Sequence, residues 1–329
     1  MKRNIAIVAG GYSSESAVSL KSADGIYSFL DKEKYNVYIV LVMEKGWYVK
    51  LSGGEEIPVD KNTFGFVFGG ESIRFDFAYV TIHGTPGENG LLQGYFEMLG
   101  IPYSSCGVLA GALTFNKFAC NNYLRGFGIR VAPSIRLFPG ETISEEEVEA
   151  QLGLPVFIKP NDGGSSFGTT KVKTREDILP AIRKAFSEGK EVIIERFVAG
   201  TEVTCGCYKI KGKEQVFPLT EVVTGNEFFD FDAKYNGQVD EITPARIPAK
   251  LTEQIQRQTL KVYDILGAKG LIRIDYIIPE DSEPIMLEVN TTPGMTTTSF
   301  IPQQVAAAGL SMRDVLTEII ENEYDIIFN

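Results

Sequence analysis

The chain has 329 residues, 44% hydrophobic and 23% charged, a balance expected of a water-soluble globular enzyme and long enough for two or three domains. A net charge of −11 argues against general nucleic-acid binding, and no apolar run approaches the ~18 residues of a membrane-spanning helix. Four scattered cysteines (Cys106, Cys120, Cys205, Cys207) and one histidine, His83, make a zinc site or a disulfide framework unexpected and exclude any mechanism needing two histidines. The apolar segment at residues 5–9 is too short for a signal peptide, so a cytoplasmic protein with reduced thiols is expected.

Residues 4–9 form a continuous apolar run ending at Gly10-Gly11, the pattern of a buried parallel strand followed by a turn. Residues 16–30 carry apolar side chains at helical spacing, 37–43 and 75–82 read as strands, and 90–99 as a short helix. This succession predicts a small α/β domain built on a mostly parallel sheet. The turn Gly10-Gly11-Tyr12-Ser13-Ser14-Glu15 lacks the dinucleotide spacing G-x-G-x-x-G, and no G-x-x-x-x-G-K-[S/T] occurs. In an open α/β sheet, ligands sit beyond the carboxyl ends of the strands, where Glu15 and His83 both fall. Each also has a plainer reading, Glu15 as a charge favouring a helix start and His83 as a structural residue.

Residues 106–126 read as one long helix carrying Lys117, residues 131–133 restart an extended segment, and Ser144-Glu145-Glu146-Glu147 is a capping box opening an acidic helix. A strand at 154–159 ends in Lys159-Pro160 and runs into the Gly/Ser loop 161–168, whose backbone N–H groups and hydroxyls suit phosphate oxygens, although such loops also serve as simple connections. A helix at 174–188 precedes the strand 191–198, which leads to Gly200-Thr201-Glu202. Backbone groups there can meet an adenine edge, and Glu202 can hold ribose hydroxyls. Strands follow at 202–210 and 215–223. The loop 226–238 holds Lys234 and Tyr235 among aromatics, either a lid over a reactive intermediate or a surface loop. A helix at 249–266 and two more from near Pro302 complete the expected elements.

The densest chemistry lies between residues 271 and 300. Two apolar runs, 271–278 and 284–289, flank the polar turn 279–283 and predict a hairpin. Arg273 and Asp275 are two apart on the first strand, Glu288 and Asn290 on the second, so paired strands can bring all four to one face. The all-oxygen set Asp275, Glu288 and Asn290 suits Mg²⁺; a structural Arg–carboxylate network is the alternative. Beyond the hairpin, Thr291-Thr292-Pro293-Gly294-Met295 is a turn in which Gly294 can present its N–H to a ligand.

Taken in order, Gly10-Gly11…Ser13-Ser14-Glu15…Val18-Ser19-Leu20, His83-Gly84…Gly87-Glu88-Asn89-Gly90, Lys159-Pro160…Gly164-Ser165-Ser166…Gly168, Ala233-Lys234-Tyr235, Arg273-Ile274-Asp275 and Glu288-Val289-Asn290-Thr291…Pro293-Gly294-Met295-Thr296…Ser299 resemble the D-alanine–D-alanine ligase family of the ATP-grasp superfamily over nearly the whole chain. The resemblance implies a mixed α/β, three-domain fold: a substrate-binding domain at 1–105, a central ATP-grasp subdomain at 106–196 and a catalytic domain at 197–329, the last two clasping ATP. It also implies that ATP phosphorylates one D-alanine carboxylate, that a second D-alanine attacks the acyl phosphate, and that the dipeptide serves peptidoglycan synthesis. A homodimer is a family expectation.

Carried over by position, Lys117, Lys159 and Lys234 resemble phosphate contacts, with Ser165 and its loop closing over them. Glu195, Phe197 (through backbone) and Val198 resemble the adenine hinge, and Glu202 the ribose contact. Asp275, Glu288 and Asn290 match the ligands of two Mg²⁺ ions, for which Mn²⁺ is a substitute. Arg273 and the Gly294 N–H resemble an oxyanion hole. Glu15 would pair with the first ammonium, and Ser165 and Tyr235 would complete a hydrogen-bonded set with it. His83 lies near the same substrate; Ser299, with the Phe300 N–H, would take the acceptor carboxylate.

Departures are few. Asn89 replaces a common Asp, Ala17 and Gly163 stand where Glu is common, and Phe300 where Leu is common. None removes a ligand or acid–base group. Tyr235 resembles ligases that take an amine acceptor, whereas phenylalanine there resembles makers of D-lactate esters. A pocket distinguishes small side-chain differences by only ~1–3 kcal/mol, which leaves D-serine open as an acceptor.

Overall fold

A computed structural model of the chain describes residues 2–51, 53–164, 167–224, 239–280 and 283–328. Ser165, Lys234, Tyr235 and the loop expected at 226–238 lie outside the described residues.

Strand β1 (Arg3–Gly10) is apolar from Ile5 to Ala9 and those five side chains are fully buried, so it occupies a sheet interior. It pairs in parallel with β2 (Tyr35–Met43) and β7 (Phe77–Val80), and α1 (Ser16–Phe29) is the connection between β1 and β2. The expected parallel core is therefore present. Its far edge is antiparallel, through β3 (Gly46–Lys50) and β4 (Glu56–Pro58), and a separate hairpin joins β5 (Gly65–Phe68) to β6 (Glu71–Arg74). Helix α2 (Leu91–Leu99) follows and ends on Gly100 in the left-handed conformation.

The single helix expected over 106–126 is two. Asn116 adopts an extended backbone (φ −89°, ψ 98°) between α3 (Val108–Phe115) and α4 (Lys117–Arg125), and its side chain accepts the Ala119 N–H as a cap. Lys117 thereby becomes the first residue of a helix. The second sheet, in the order β10-β9-β11-β8, comprises β8 (Ser134–Leu137), β9 (Val156–Pro160), β10 (Thr170–Val172) and β11 (Val192–Arg196), all antiparallel. It is backed by α5 (Glu145–Leu152), which opens on the expected capping box, and α6 (Ile178–Glu188), preceded by a 3₁₀ turn at Arg175–Asp177.

The third sheet runs β15-β14-β12-β16-β17 and is also antiparallel. Its strands are β12 (Thr201–Ile210), β14 (Thr220–Thr224), β15 (Val239–Ile242), β16 (Ile272–Ile278) and β17 (Ile285–Asn290), with β13 (Lys213–Val216) paired to β12. The one strand expected over 215–223 is broken at Phe217-Pro218-Leu219, because Pro218 has no N–H to donate and the Phe217 N–H bonds to the Gly206 carbonyl. Helix α7 (Ala249–Leu266) buries Ile255, Val262, Tyr263 and Leu266 against this sheet. Helices α8 (Phe300–Ala307) and α9 (Met312–Phe328) cross back to the first sheet, so that Ile5, Ile7 and Phe77 share one core with Ile301, Val305, Leu316 and Ile320. That shared core fixes the first sheet against the third. Among the described residues no helix is long and apolar enough to cross a membrane, and the four cysteines are free and buried.

Candidate active site

A cleft of about 910 Å³ is walled by residues from all three large sheets or the loops leaving them, including Glu15 and His83, Lys159 and Glu195, Asp275 and Glu288. Its floor is the β16–β17 hairpin. The register sets Arg273 opposite Asn290 and Asp275 opposite Glu288, so the four groups share a face as the alternation predicts. Strand β12 adds Thr204 opposite Asp275 on the other side.

Asp275 is nearly saturated. Arg273 Nε and Nη2 donate to its two oxygens at 2.8 Å each, Thr204 Oγ1 donates at 2.6 Å and Asn290 Nδ2 at 3.1 Å. A carboxylate offers about four lone-pair positions, and four donors meet this one. Burial opposes the charge on Arg273, but Asp275 and then Glu288 outweigh it and hold the guanidinium firmly protonated. The structural network is thus realised, yet the same groups remain a hard-oxygen donor set. Two carboxylates and one carboxamide oxygen, with no thiolate or imidazole beside them, fit Mg²⁺ and leave coordination positions for phosphate. Among the described residues no group of three His, Cys, Asp or Glu forms a metal site, so any ion here depends on the carboxamide and the substrate.

The cations opposite are held by protein oxygens. Lys159 Nζ stands 2.5 Å from Glu195 Oε2, and Asn121 Nδ2 donates to the other oxygen at 3.2 Å. Burial works against the charge on Lys159, but Glu195 and Glu288 overcome it and raise its pKa. Lys117 Nζ donates to the Gly163 carbonyl at the start of the Gly/Ser loop. That loop is anchored by buried Asn161, whose Oδ1 accepts the Phe118 N–H at 2.8 Å and whose Nδ2 donates to Glu191 at 2.8 Å. At the strand end expected to meet an adenine, the Phe197 N–H is engaged by the Pro155 carbonyl at 3.1 Å, which leaves its own carbonyl as the backbone group to offer. Its ring packs on Phe157, and Lys171 Nζ lies 3.8 Å from the ring centroid. Val198 and Glu202 line the same end.

At the other end, Glu15 occupies the N-cap position of α1 without a side-chain capping bond and is buried. His83 Nε2 is buried with no hydrogen-bond partner among the described residues. Burial lowers the His83 pKa, Glu15 pulls the other way and Arg273 adds to the lowering, giving a neutral imidazole. Glu88 accepts the Gly84 N–H at 2.7 Å, and burial together with the Glu15 charge pushes its carboxyl up to about 7. Ser299 begins α8, and its Oγ accepts the Thr296 N–H at 3.1 Å. A Cβ on Gly294 would stand 3.1 Å from that oxygen, and the Arg273 guanidinium lies 5.2 Å from the Phe300 ring centroid. Arg273, Gly294, Ser299 and Phe300 therefore converge on one corner.

Thr204, Glu88 and Asn161 were not apparent as site residues from sequence. Thr204 had a signal, since it lies two residues beyond Glu202 on one strand and so shares its face. Glu88 lies within the His83 motif. Asn161 gave no sign, because its partners come from α4 and β11.

An antiparallel sheet carrying cations, closed against a second antiparallel sheet carrying oxygen ligands, defines the ATP-grasp class of fold. The family model for the D-ala D-ala ligase N-terminus matches residues 4–106, and that for the D-ala D-ala ligase C-terminus matches residues 123–321. The chain belongs to the D-alanine–D-alanine ligase family. It is 70% identical to the D-alanine–D-alanine ligase of Parabacteroides distasonis, over 98% of each chain. Among solved structures it resembles the VanG D-Ala:D-Ser ligase of Enterococcus faecalis (TM-score 0.86, 32% identity, 98% of this chain and 100% of that one). It also resembles the D-alanine–D-alanine ligase of Bacillus anthracis complexed with ATP (TM-score 0.77, 29% identity, 99% of each chain).

Proposed function

We propose that this chain joins two D-alanines at the expense of ATP, through a D-alanyl phosphate, to make the dipeptide used in peptidoglycan precursors. The observation that carries the reading is the hairpin register, which sets Arg273, Asp275, Glu288 and Asn290 together in a cleft whose other wall carries Lys117 and Lys159. Three domains, 1–105, 106–196 and 197–329, would each supply one wall, in line with the three large sheets.

In this reading Glu195, Phe197 and Val198 meet the adenine, Glu202 the ribose, and Lys117, Lys159 and Lys234 the phosphates, beneath Ser165 and its loop. Asp275, Glu288 and Asn290 would hold two Mg²⁺ ions, or Mn²⁺ in their place, which when bound neutralise charge on the phosphoryl group being transferred. Glu15 grips the first ammonium, with neutral His83 beside it, and orients that substrate's carboxylate toward the nucleotide. The carboxylate attacks the γ-phosphorus and ADP departs. The second amine, its carboxylate held by Ser299 and the Phe300 N–H, then attacks the acyl carbon. Arg273 and the Gly294 N–H stabilise the alkoxide, the amine gives up a proton, and phosphate leaves. Ser165 and Tyr235 tie the loops to Glu15 during these steps.

The enzyme would work in the cytoplasm, where ATP is supplied, as a homodimer. The dimer is supported by exposed Leu91 and Met98 on α2 and Leu109 on α3. The deciding experiment is phosphate release from purified protein with Mg-ATP and D-alanine, L-alanine, D-alanine plus D-lactate, or D-alanine plus D-serine. Release with D-alanine alone, with D-alanyl-D-alanine seen by mass spectrometry, is the expected result. Release only when D-serine is added would move the reading to the mixed dipeptide, and no release in any arm would overturn it.

A further inference from the structure

Helix α1 presents Glu15, Val18, Ser22 and Gly25 at spacings of three and four residues, one stripe of a helix. Glu15 and Val18 line the cleft. Further along the stripe, Ser22 is fully buried and its Oγ accepts the Met295 N–H at 3.2 Å. At Gly25 a Cβ would overlap the Met295 carbonyl oxygen, so only glycine lets the helix approach this closely. Both peptide groups of Met295, one of which joins it to Gly294, thus lie against α1. Thr292 is held from the same side, with its Oγ1 donating to the Ile82 carbonyl at 3.4 Å. The helix is itself docked one turn earlier: Ser19 Oγ accepts the Gly10 N–H at 2.9 Å and donates to the Thr81 carbonyl at 2.8 Å.

We propose that Ser22 and Gly25 are positioning residues that set the turn carrying Gly294, so that Glu15 and the oxyanion donor are held at a fixed separation by one rigid helix. Glu15 and Ser22 are seven residues apart, a span of about 10 Å along the helix axis. Without this brace the Gly294 N–H would be placed only by its own loop, while the donor substrate is gripped by a different domain. The inference rests on the ligase reading and on Gly294 as an oxyanion donor.

The test is steady-state kinetics of Ser22→Ala, Ser22→Thr, Gly25→Ala and, as a control on an exposed position of the same helix, Asp24→Ala, with thermal melting of each. A misplacement near 1 Å costs up to about 100-fold in rate, so kcat should fall about tenfold in Ser22→Ala and further in Gly25→Ala, while the KM for ATP stays within about twofold. Ser22→Thr, which keeps the hydroxyl, should recover most of the rate, and Asp24→Ala should match the parent. If Gly25→Ala fails to fold, the Ser22 pair decides. An unchanged kcat in folded Ser22→Ala would overturn the proposal, as would a parallel loss in kcat, ATP binding and melting temperature. Parent protein that forms no dipeptide would instead refute the ligase reading.

Discussion

Gly164 lies directly against Glu15: a Cβ added at Gly164 would stand 2.7 Å from Glu15 Oε1 and 2.8 Å from Oε2. The Gly/Ser loop of the second sheet therefore reaches Glu15, the residue proposed to grip the first ammonium, across the cleft. The contact is with the far end of a flexible side chain, so an added methyl would move the carboxylate and leave the backbone in place.

Gly164→Ala should accordingly fold normally and fail at the donor subsite. We expect the KM for D-alanine to rise by about tenfold or more, with ATP affinity changed far less, because displacing a positioning charge by ~1 Å is enough for such losses. Isothermal titration with ATP beside steady-state kinetics separates the two. Equal weakening of both would show that the loop, not Glu15, carries the effect.

Arg273→Ala should lower kcat by roughly 100-fold, the size of losing one oxyanion donor. It also strips Asp275 of two hydrogen bonds, and breaking a buried pair costs about 3–5 kcal/mol of stability. Arg273→Lys keeps the charge without the fork, so it should melt nearer the parent yet stay slow. Retention of full kcat at saturating ATP in Arg273→Lys would remove the guanidinium from the oxyanion role.

Glu88 gives the fold a pH signature. Its folded pKa, about 7, lies above its ordinary 4.5, so the native state binds the proton more tightly than the unfolded chain does. Stability from this group is complete below pH 4.5 and is lost as pH rises through 7, by at most about 3 kcal/mol and less where solvent in the cleft screens the charge. Glu88→Gln should flatten the melting profile between those values and raise the melting temperature at pH 8 relative to the parent. A profile that keeps its slope would assign the titration elsewhere.

Thr204→Val tests the support beneath the proposed ion site. EDTA should abolish phosphate release, and Mg²⁺ or Mn²⁺ should restore it. Losing the 2.6 Å bond to Asp275 should raise the Mg²⁺ concentration for half-maximal rate about tenfold, as for other groups that orient a ligand. An identical Mg²⁺ dependence in a folded Thr204→Val protein would count against Asp275 as a ligand.

The hairpin was readable because alternation is a local rule: once 271–278 and 284–289 pair, Arg273, Asp275, Glu288 and Asn290 have one face to share. The break at Asn116 was not, since its only mark is the cap that its side chain makes on the Ala119 N–H. The strands between Gly46 and Arg74 are three to five residues long and mostly half-exposed, too short for alternation to register. Gly25 reads as a mere weakness in a helix until Met295, distant in sequence, arrives beside it. Local patterns revealed the elements, and non-local contacts decided what their exceptions mean.

Lys117 on the Gly163 carbonyl and Lys159 on Glu195 show that nucleotide does not enter a cleft of bare ammonium groups. An ammonium carries three N–H donors, so each lysine can keep its protein oxygen and still offer N–H groups to a phosphate. The protein oxygens thus aim both ammonium groups in advance, so less side-chain freedom would be lost when a nucleotide binds.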